Sequence, residues 1–463
     1  MRPQSVSVLG ALLLAVILRW AVGGLEWLNS YRLGYLFLFG ALLLGITPGP
    51  RRTTPLYRRD ALLSRAQILQ VALSLALIAV LVAYDSGWEP TGSARSLQLG
   101  VLFLLFAAYP VVYSDGIESR DLLYLVAAVA VVGAFFHYAI ESPSGSLRAH
   151  YVIGRGALFL SALFVIPRYV SREGFLWVVG GLSSALAGLG LLAYLVGEYA
   201  VFSLRVNLFP GRFSLPLVAP ETPFLQSILV NPNEVGMWTL GGVCAATFVG
   251  HRAYRREQWA GVAVGAAFAL VSGVGLYLSH GRASILGAVA ALALYVASVR
   301  FGREALPYAT ILVMSGMTAF LLGAYFHVLP TNVHGRFVIW GAGLGAILDN
   351  PTLLGEQLGT ASVIAPYLEE TSYQGYTLHN SYLAMFVRTG VVGGLAYLVL
   401  TVGRVIDGIF FDPEADVMVL SLAFGYVIML FFSSTVLFLP TSVGVLTAFV
   451  FGYAIVNPSA APA

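Results

Sequence analysis

Lysine is missing from this 463-residue chain, and all 25 of its basic residues are arginine. That bias fits a high-GC genome and a warm habitat, but it does not identify a function. Cysteine is nearly missing too. Cys244 stands alone inside an apolar run, so a disulfide framework and a cysteine metal site are both excluded, and it reads as a small core side chain. Charge of either sign is scarce at 10% of residues, and the net charge of +3 is too small to imply a nucleic-acid partner. What matters is where the arginines fall.

Hydrocarbon is what the chain has in excess. Its 58% hydrophobic content and mean hydropathy of +0.84 exceed what a soluble core needs and place it among polytopic membrane proteins. Apolar segments lie at roughly 5–24, 31–47, 61–84, 97–113, 120–140, 152–170, 174–200, 233–250, 257–279, 282–300, 305–328, 380–404, 414–432 and 435–456. At about 20 residues per span they predict an all-α membrane protein of about fourteen helices. The first resembles a signal peptide in Arg2 and its apolar core, but no small-residue cleavage site follows Arg19-Trp20, so it is read as a helix. The chain divides into N-terminal helices, 1–200, and a motif-bearing region, 201–463, with a long loop at 329–380.

Loop arginines set the orientation. Arg51-Arg52, Arg58-Arg59, Arg65, Arg168, Arg172, Arg252, Arg255, Arg256, Arg300 and Arg303 all fall on even-numbered connections, which therefore face the cytoplasm. Counting alternately, Val201 to Pro232, the Ser279–Arg282 corner and Val328 to His379 emerge together on the outer face. The few chemistry-bearing residues concentrate there. Arg282 opens a helix where positive-inside bias disfavours a basic residue, and helix-start amides suit an anion, so Arg282 and the helix start together make a candidate phosphate seat. An ordinary tight turn with a snorkelling arginine is the blander reading.

Arg336 opens an amphipathic helix expected over about 336–348 and stopped by Asp349-Asn350-Pro351. It shares a face with Trp340, as an interfacial anchor or as a guanidinium gripping a lipid diphosphate. His379 lies at the boundary of the next apolar run, where an imidazole titrating near neutrality suits a general base. Glu369-Glu370 in the same loop offers a carboxylate instead. His280 and His334 adjoin the two arginines and are read as orienting them. Arg388 sits about two turns inside the following helix, where a charge lines a cavity or pairs with a buried acid.

In order, these stretches read Asn231-Pro232-Asn233, Ser279-x-Gly-Arg282, Gly335-Arg336-x-x-x-Trp340, Asn350-Pro351-x-x-x-Gly355-x-x-x-Gly359, His379-Asn380-Ser-Tyr-Leu and Gly390-x-x-Gly393. The set resembles the bacterial O-antigen ligase and O-antigen polymerase superfamily over roughly Asn231 to Gly394. The resemblance implies a GT-C type, inverting, metal-independent glycosyltransferase of lipopolysaccharide and surface-polysaccharide biosynthesis. It would act at the outer face of the cytoplasmic membrane and need no cofactor. The implied partners are a polyprenyl-diphosphate-linked glycan donor, an acceptor glycan or glycolipid, membrane lipid and a chain-length regulator. By matching positions it assigns the leaving diphosphate to Arg282 and Arg336, with Arg212 as a further donor-binding arginine, and acceptor deprotonation to His379. Asn233, His280, Trp340, Asn380 and Arg388 take supporting places, Asn380 holding the imidazole or contacting sugar.

Other classes remain. A metal-dependent oligosaccharyltransferase needs closely spaced acids in its first outer loop, which here holds only Glu26. A polysaccharide flippase or other multi-spanning transporter suits the helix count but predicts internal repeats and midplane charges. A non-catalytic scaffold would tolerate loss of His379.

Overall fold

Backbone amides inside hydrocarbon must be satisfied within their own segment, so apolar stretches separated by short polar corners become helices. The computed structural model describes residues 119–141, 159–201, 204–211, 222–328, 334–354, 360–368, 373–434, 437–438 and 441–456, with 77, 152, 155 and 156 as isolated positions. Glu26, Arg212, Glu369, Glu370 and, apart from residue 77, the first four expected helices lie outside the described residues.

The main helices are α1 (Ser119–Glu141), α2 (Arg172–Val196), α3 (Pro232–Arg255), α4 (Trp259–Leu278), α5 (Arg282–Phe301) and α6 (Ala305–Tyr325). They continue as α7 (His334–Asp349), α8 (Ser381–Leu398), α9 (Arg404–Phe410), α10 (Val417–Phe431) and α11 (Ser442–Ile455). Five helices among the described residues are long and apolar enough to cross a membrane: α2, α4, α5, α6 and the continuous stretch Ser381–Phe410.

The centre of the bundle is α3. Trp238 donates Nε1 to Ser442 Oγ at 2.8 Å, Ser183 Oγ donates to Trp238 O at 2.7 Å, and Tyr426 OH donates to Met237 O at 3.0 Å. Each of these buried polar side chains thus has its partner. Around this centre small residues set the spacing, because lipid offers no hydrophobic drive between helices. Where α5 crosses α10, Gly287 and Gly425 lie so close that a Cβ on either would meet the other's carbonyl oxygen within 2.6 Å.

One end of the bundle is locked by charge. Arg404, 1% exposed, bridges Asp407 and Asp412 and donates Nε to Ala454 O. Arg303 donates to the carbonyls of Gly408, Asp412 and Ala415, Arg172 pairs with Asp416 at 3.5 Å, and Glu173 pairs with Arg252 and Arg256. A guanidinium this buried requires such a full set of partners. The basic connections at 172, 252–256 and 303 gather at this end, and the starts of α3 and α5 lie at the other.

The all-α expectation needs one correction. Three short strands form an antiparallel sheet in the order β1 (Tyr199–Val201), β2 (Leu204–Phe209), β3 (Phe224–Ser227). Its polar backbone is satisfied in the ladder, and it is pinned to α2 by Ser227 Oγ donating to Leu186 O at 2.7 Å and Tyr194 OH donating to Pro223 O at 2.6 Å. Gln226 Nε2 then donates to Leu229 O and Val230 O, both at 2.9 Å, shaping the turn that delivers Asn231.

A second departure lies within α8, which breaks at Gly390 (φ 65°, ψ −167°). The amides of Val391 and Val392 donate to Thr352 O and Leu353 O at 3.0 and 3.1 Å, so the segment after α7 is stitched into the break. A side chain at 390 would sit 2.6 Å from Thr352 O, which leaves glycine as the residue that fits.

Candidate functional site

Helix starts converge at the end away from the Arg404 cluster. Asn231 caps α3, its Oδ1 accepting from Asn233 N at 2.9 Å, and Pro232 occupies the first helical position, where its lack of an N–H costs nothing. The Asn-Pro-Asn motif is thus a helix start. At the neighbouring corner Ser279 Oγ donates to Leu276 O and accepts from Gly281 N at 3.2 Å, and α5 begins at Arg282 with no side-chain cap. The first turns of α3 and α5 face each other across a cleft of ≈ 340 Å³, which α7 joins through Arg336 and the start of α8 joins through His379.

The cleft therefore brings together Arg282, Arg336, His379, His280 and Asn233, residues up to 146 positions apart in sequence (379 − 233). Arg282 Nη2 lies 3.4 Å from His280 Nε2. Arg336 Nη1 donates to Phe432 O at 2.8 Å, and its guanidinium carbon lies 5.7 Å from the centre of the Phe432 ring. That anchor holds the guanidinium at the wall.

Positive charge is in excess in the cleft, with Arg282 and Arg336 against the single carboxylate of Glu234. Burial first and Arg336 second hold the His379 imidazole below the ordinary histidine value, and burial followed by Arg282 does the same for His280. Burial and then Arg282 lower Arg336 from its ordinary value. Both shifts favour the neutral imidazole, and each of the two histidines sits on left-handed backbone, φ 56° at His280 and φ 45° at His379. Such backbone at a non-glycine residue stores about 1–3 kcal/mol and clusters at functional sites.

The remaining expected residues lie around the cleft. Trp340 is buried behind it, donating Nε1 to Leu378 O at 2.9 Å and packing on Phe431 and Phe432, so it fixes the backbone next to His379. Asn380 commits its side-chain oxygen to capping α8, accepting from Tyr382 N and Leu383 N at 3.0 Å. Arg388 lies further along α8, away from the cleft, with Nε and Nη1 buried and no hydrogen-bond partner among the described residues. No described acid pairs with it.

Sequence reasoning did not pick out Glu234 and Met237 on α3, nor a further three of the cleft's residues, Phe432, Ser433 and Ser434. Glu234 follows the Asn-Pro-Asn motif directly, so proximity to that motif was a usable signal. The last three form the polar corner after α10, tied to α8 by Ser381 Oγ donating to Ser433 O at 2.8 Å. Nothing local in the sequence joins positions 282 and 433.

Residues 266–398 match the family model for O-antigen ligase, a span that contains Arg282, Arg336 and His379. A search of curated proteins finds no match to the chain. The matched span is thus similar to the O-antigen ligase family, and it lies in a chain with five described helices long and apolar enough to cross a membrane.

Proposed function

We propose that this protein transfers a glycan from a polyprenyl diphosphate to a hydroxyl of an acceptor glycan or glycolipid, with inversion at the anomeric carbon. The observation that carries the reading is the cleft itself, where two guanidinium groups and an uncapped helix start oppose a neutral imidazole. The family adds the substrate classes, a lipid-linked glycan and an acceptor.

The chemistry follows from charge. As the acceptor oxygen bonds to the anomeric carbon, the bond from that carbon to the diphosphate oxygen breaks and its electron pair leaves with the diphosphate. Arg282, Arg336 and the first-turn amides of α5 stabilise that negative charge where it develops. His379, neutral and lone-pair bearing, takes the acceptor's proton. Arg282 is aimed by the acceptor nitrogen of neutral His280, and Arg336 by Phe432 O. With positive charge supplied by guanidinium, the reaction runs without a divalent metal.

The wider reading is a chain of about fourteen spans of GT-C type in the cytoplasmic membrane, its cleft on the extracytoplasmic side. Residues 1–200 form the N-terminal helices and 201–463 the part that bears the motifs. The test is transfer in detergent from a purified lipid-linked glycan with excess EDTA. Product formation at the untreated rate supports the proposal; loss restored by a divalent cation contradicts it. Donor supplied alone separates the two family activities, since a ladder of lengthening chains marks a polymerase and its absence a ligase. A transporter would yield no product in either arrangement.

A further inference from the structure

Beside the cleft, and starting from its His280, three rings stand in a row. Phe209 and Phe224 are a cross-strand pair of β2 and β3, their rings parallel within 5° at 6.3 Å. Phe224 in turn stacks on His280 at 4.7 Å and 9°. His280 lines the cleft, so the row runs without interruption from the ribbon to the site.

The row is built rigidly. Tyr194 OH holds Pro223 O at the start of β3, and Gly211 lies so close to the Phe224 ring that any Cβ there would collide with it. Phe209 nonetheless remains 41% exposed. Its ribbon also exposes Glu198 and Arg205, and Glu198 Oε1 accepts from Leu208 N at 3.1 Å. Charged neighbours keep this ribbon among water and headgroups, where an isoprenoid tail does not partition.

Size points to the occupant. At ≈ 340 Å³ the cleft is near the lower end of ligand pockets, about 300–1,000 Å³, so a diphosphate carrying several sugars overflows it. On the side of Arg282 the cleft is walled by His280, and the aromatic row continues outward from that ring to meet what overflows there. A pyranose ring presents an apolar face of C–H groups, which suits the electron-rich face of an aromatic ring, and an edge of hydroxyls, which suits water and charged neighbours.

We propose that Phe209 and Phe224, continued by His280, form a glycan subsite that stacks on a sugar of the lipid-linked donor just beyond the diphosphate. The inference rests on the transferase reading of the cleft. Its test compares two probes on the full-length protein: bare polyprenyl diphosphate, and the same lipid carrying its native glycan. Phe209→Ala should weaken binding of the glycan-bearing lipid about three- to tenfold while leaving the bare lipid within twofold, and Phe209→Trp should bind both like the parent. Equal weakening for both lipids would overturn the subsite by showing a contact to tail or phosphate, and unchanged binding of both would overturn it outright. Parent protein that captures neither lipid would instead remove the transferase reading, and the subsite with it.

Discussion

Replacing Arg336 by lysine keeps a positive charge in the cleft and removes the planar fork. The structure sets the size of the loss. Arg336 already spends Nη1 on Phe432 O at 2.8 Å, and its remaining N–H groups are the ones a phosphate can take. A lysine ammonium on a flexible stem cannot hold that carbonyl and also grip two phosphate oxygens. Losing one charge-assisted hydrogen bond costs about 1.5–3 kcal/mol, a factor of about ten to 150 in donor affinity. The assay is a donor titration of purified protein, read as kcat/KM for transfer and as donor Kd, with melting temperature as the control for folding. A lysine variant within twofold of the parent in both, at an unchanged melting temperature, would refute the diphosphate role of Arg336.

Three further outcomes are expected. Burial and then Arg336 disfavour the protonated form of His379, so kcat/KM should stay level through neutrality and fall only as pH drops through a value below the ordinary 6.5. Arg336→Gln removes the second cause and should move that acid limb upward, and a parent limb at or above 6.5 would contradict the assignment. Asn380→Ala should lower stability by about 1 kcal/mol through loss of the α8 cap and leave the acid limb in place; a shifted limb would show instead that Asn380 tunes the imidazole. Gly390→Ala should depress the melting temperature, since left-handed backbone costs a side chain about 1–2 kcal/mol and Thr352 O lies 2.6 Å from the added carbon. An unchanged melting temperature would contradict the break in α8.

Much of the helical plan was legible because hydrocarbon imposes length. The expected segment at 282–300 is the helix Arg282–Phe301, that at 305–328 is Ala305–Tyr325, and the amphipathic stretch at 336–348 is His334–Asp349, ended as its Asn350-Pro351 requires. The charge lock was not read from the sequence: Arg404, Asp407 and Asp412 are close in sequence, but the carbonyl of Ala454 that completes Arg404's partners is contributed by a distant helix.

The sheet was not legible. Its strands are three to six residues long with mixed burial, so neither an alternating nor a helical period emerges from 199–227. The cleft was legible through motifs on one face, which named Arg282, Arg336 and His379, whereas Phe432 and Ser433 reach it through packing of α10 against α8. Asn380 shows the opposite limit, because a residue that reads as part of a catalytic motif also has an elementary task in starting a helix.

The measurement closest to the central claim is glycan transfer by His379→Ala from a purified lipid-linked donor, with donor binding recorded on the same preparation. The account predicts transfer reduced at least about a hundredfold while the donor remains bound with near-parental affinity. Parental transfer by that variant, with its fold intact, would contradict the role of His379 as the base and with it the reading of the cleft.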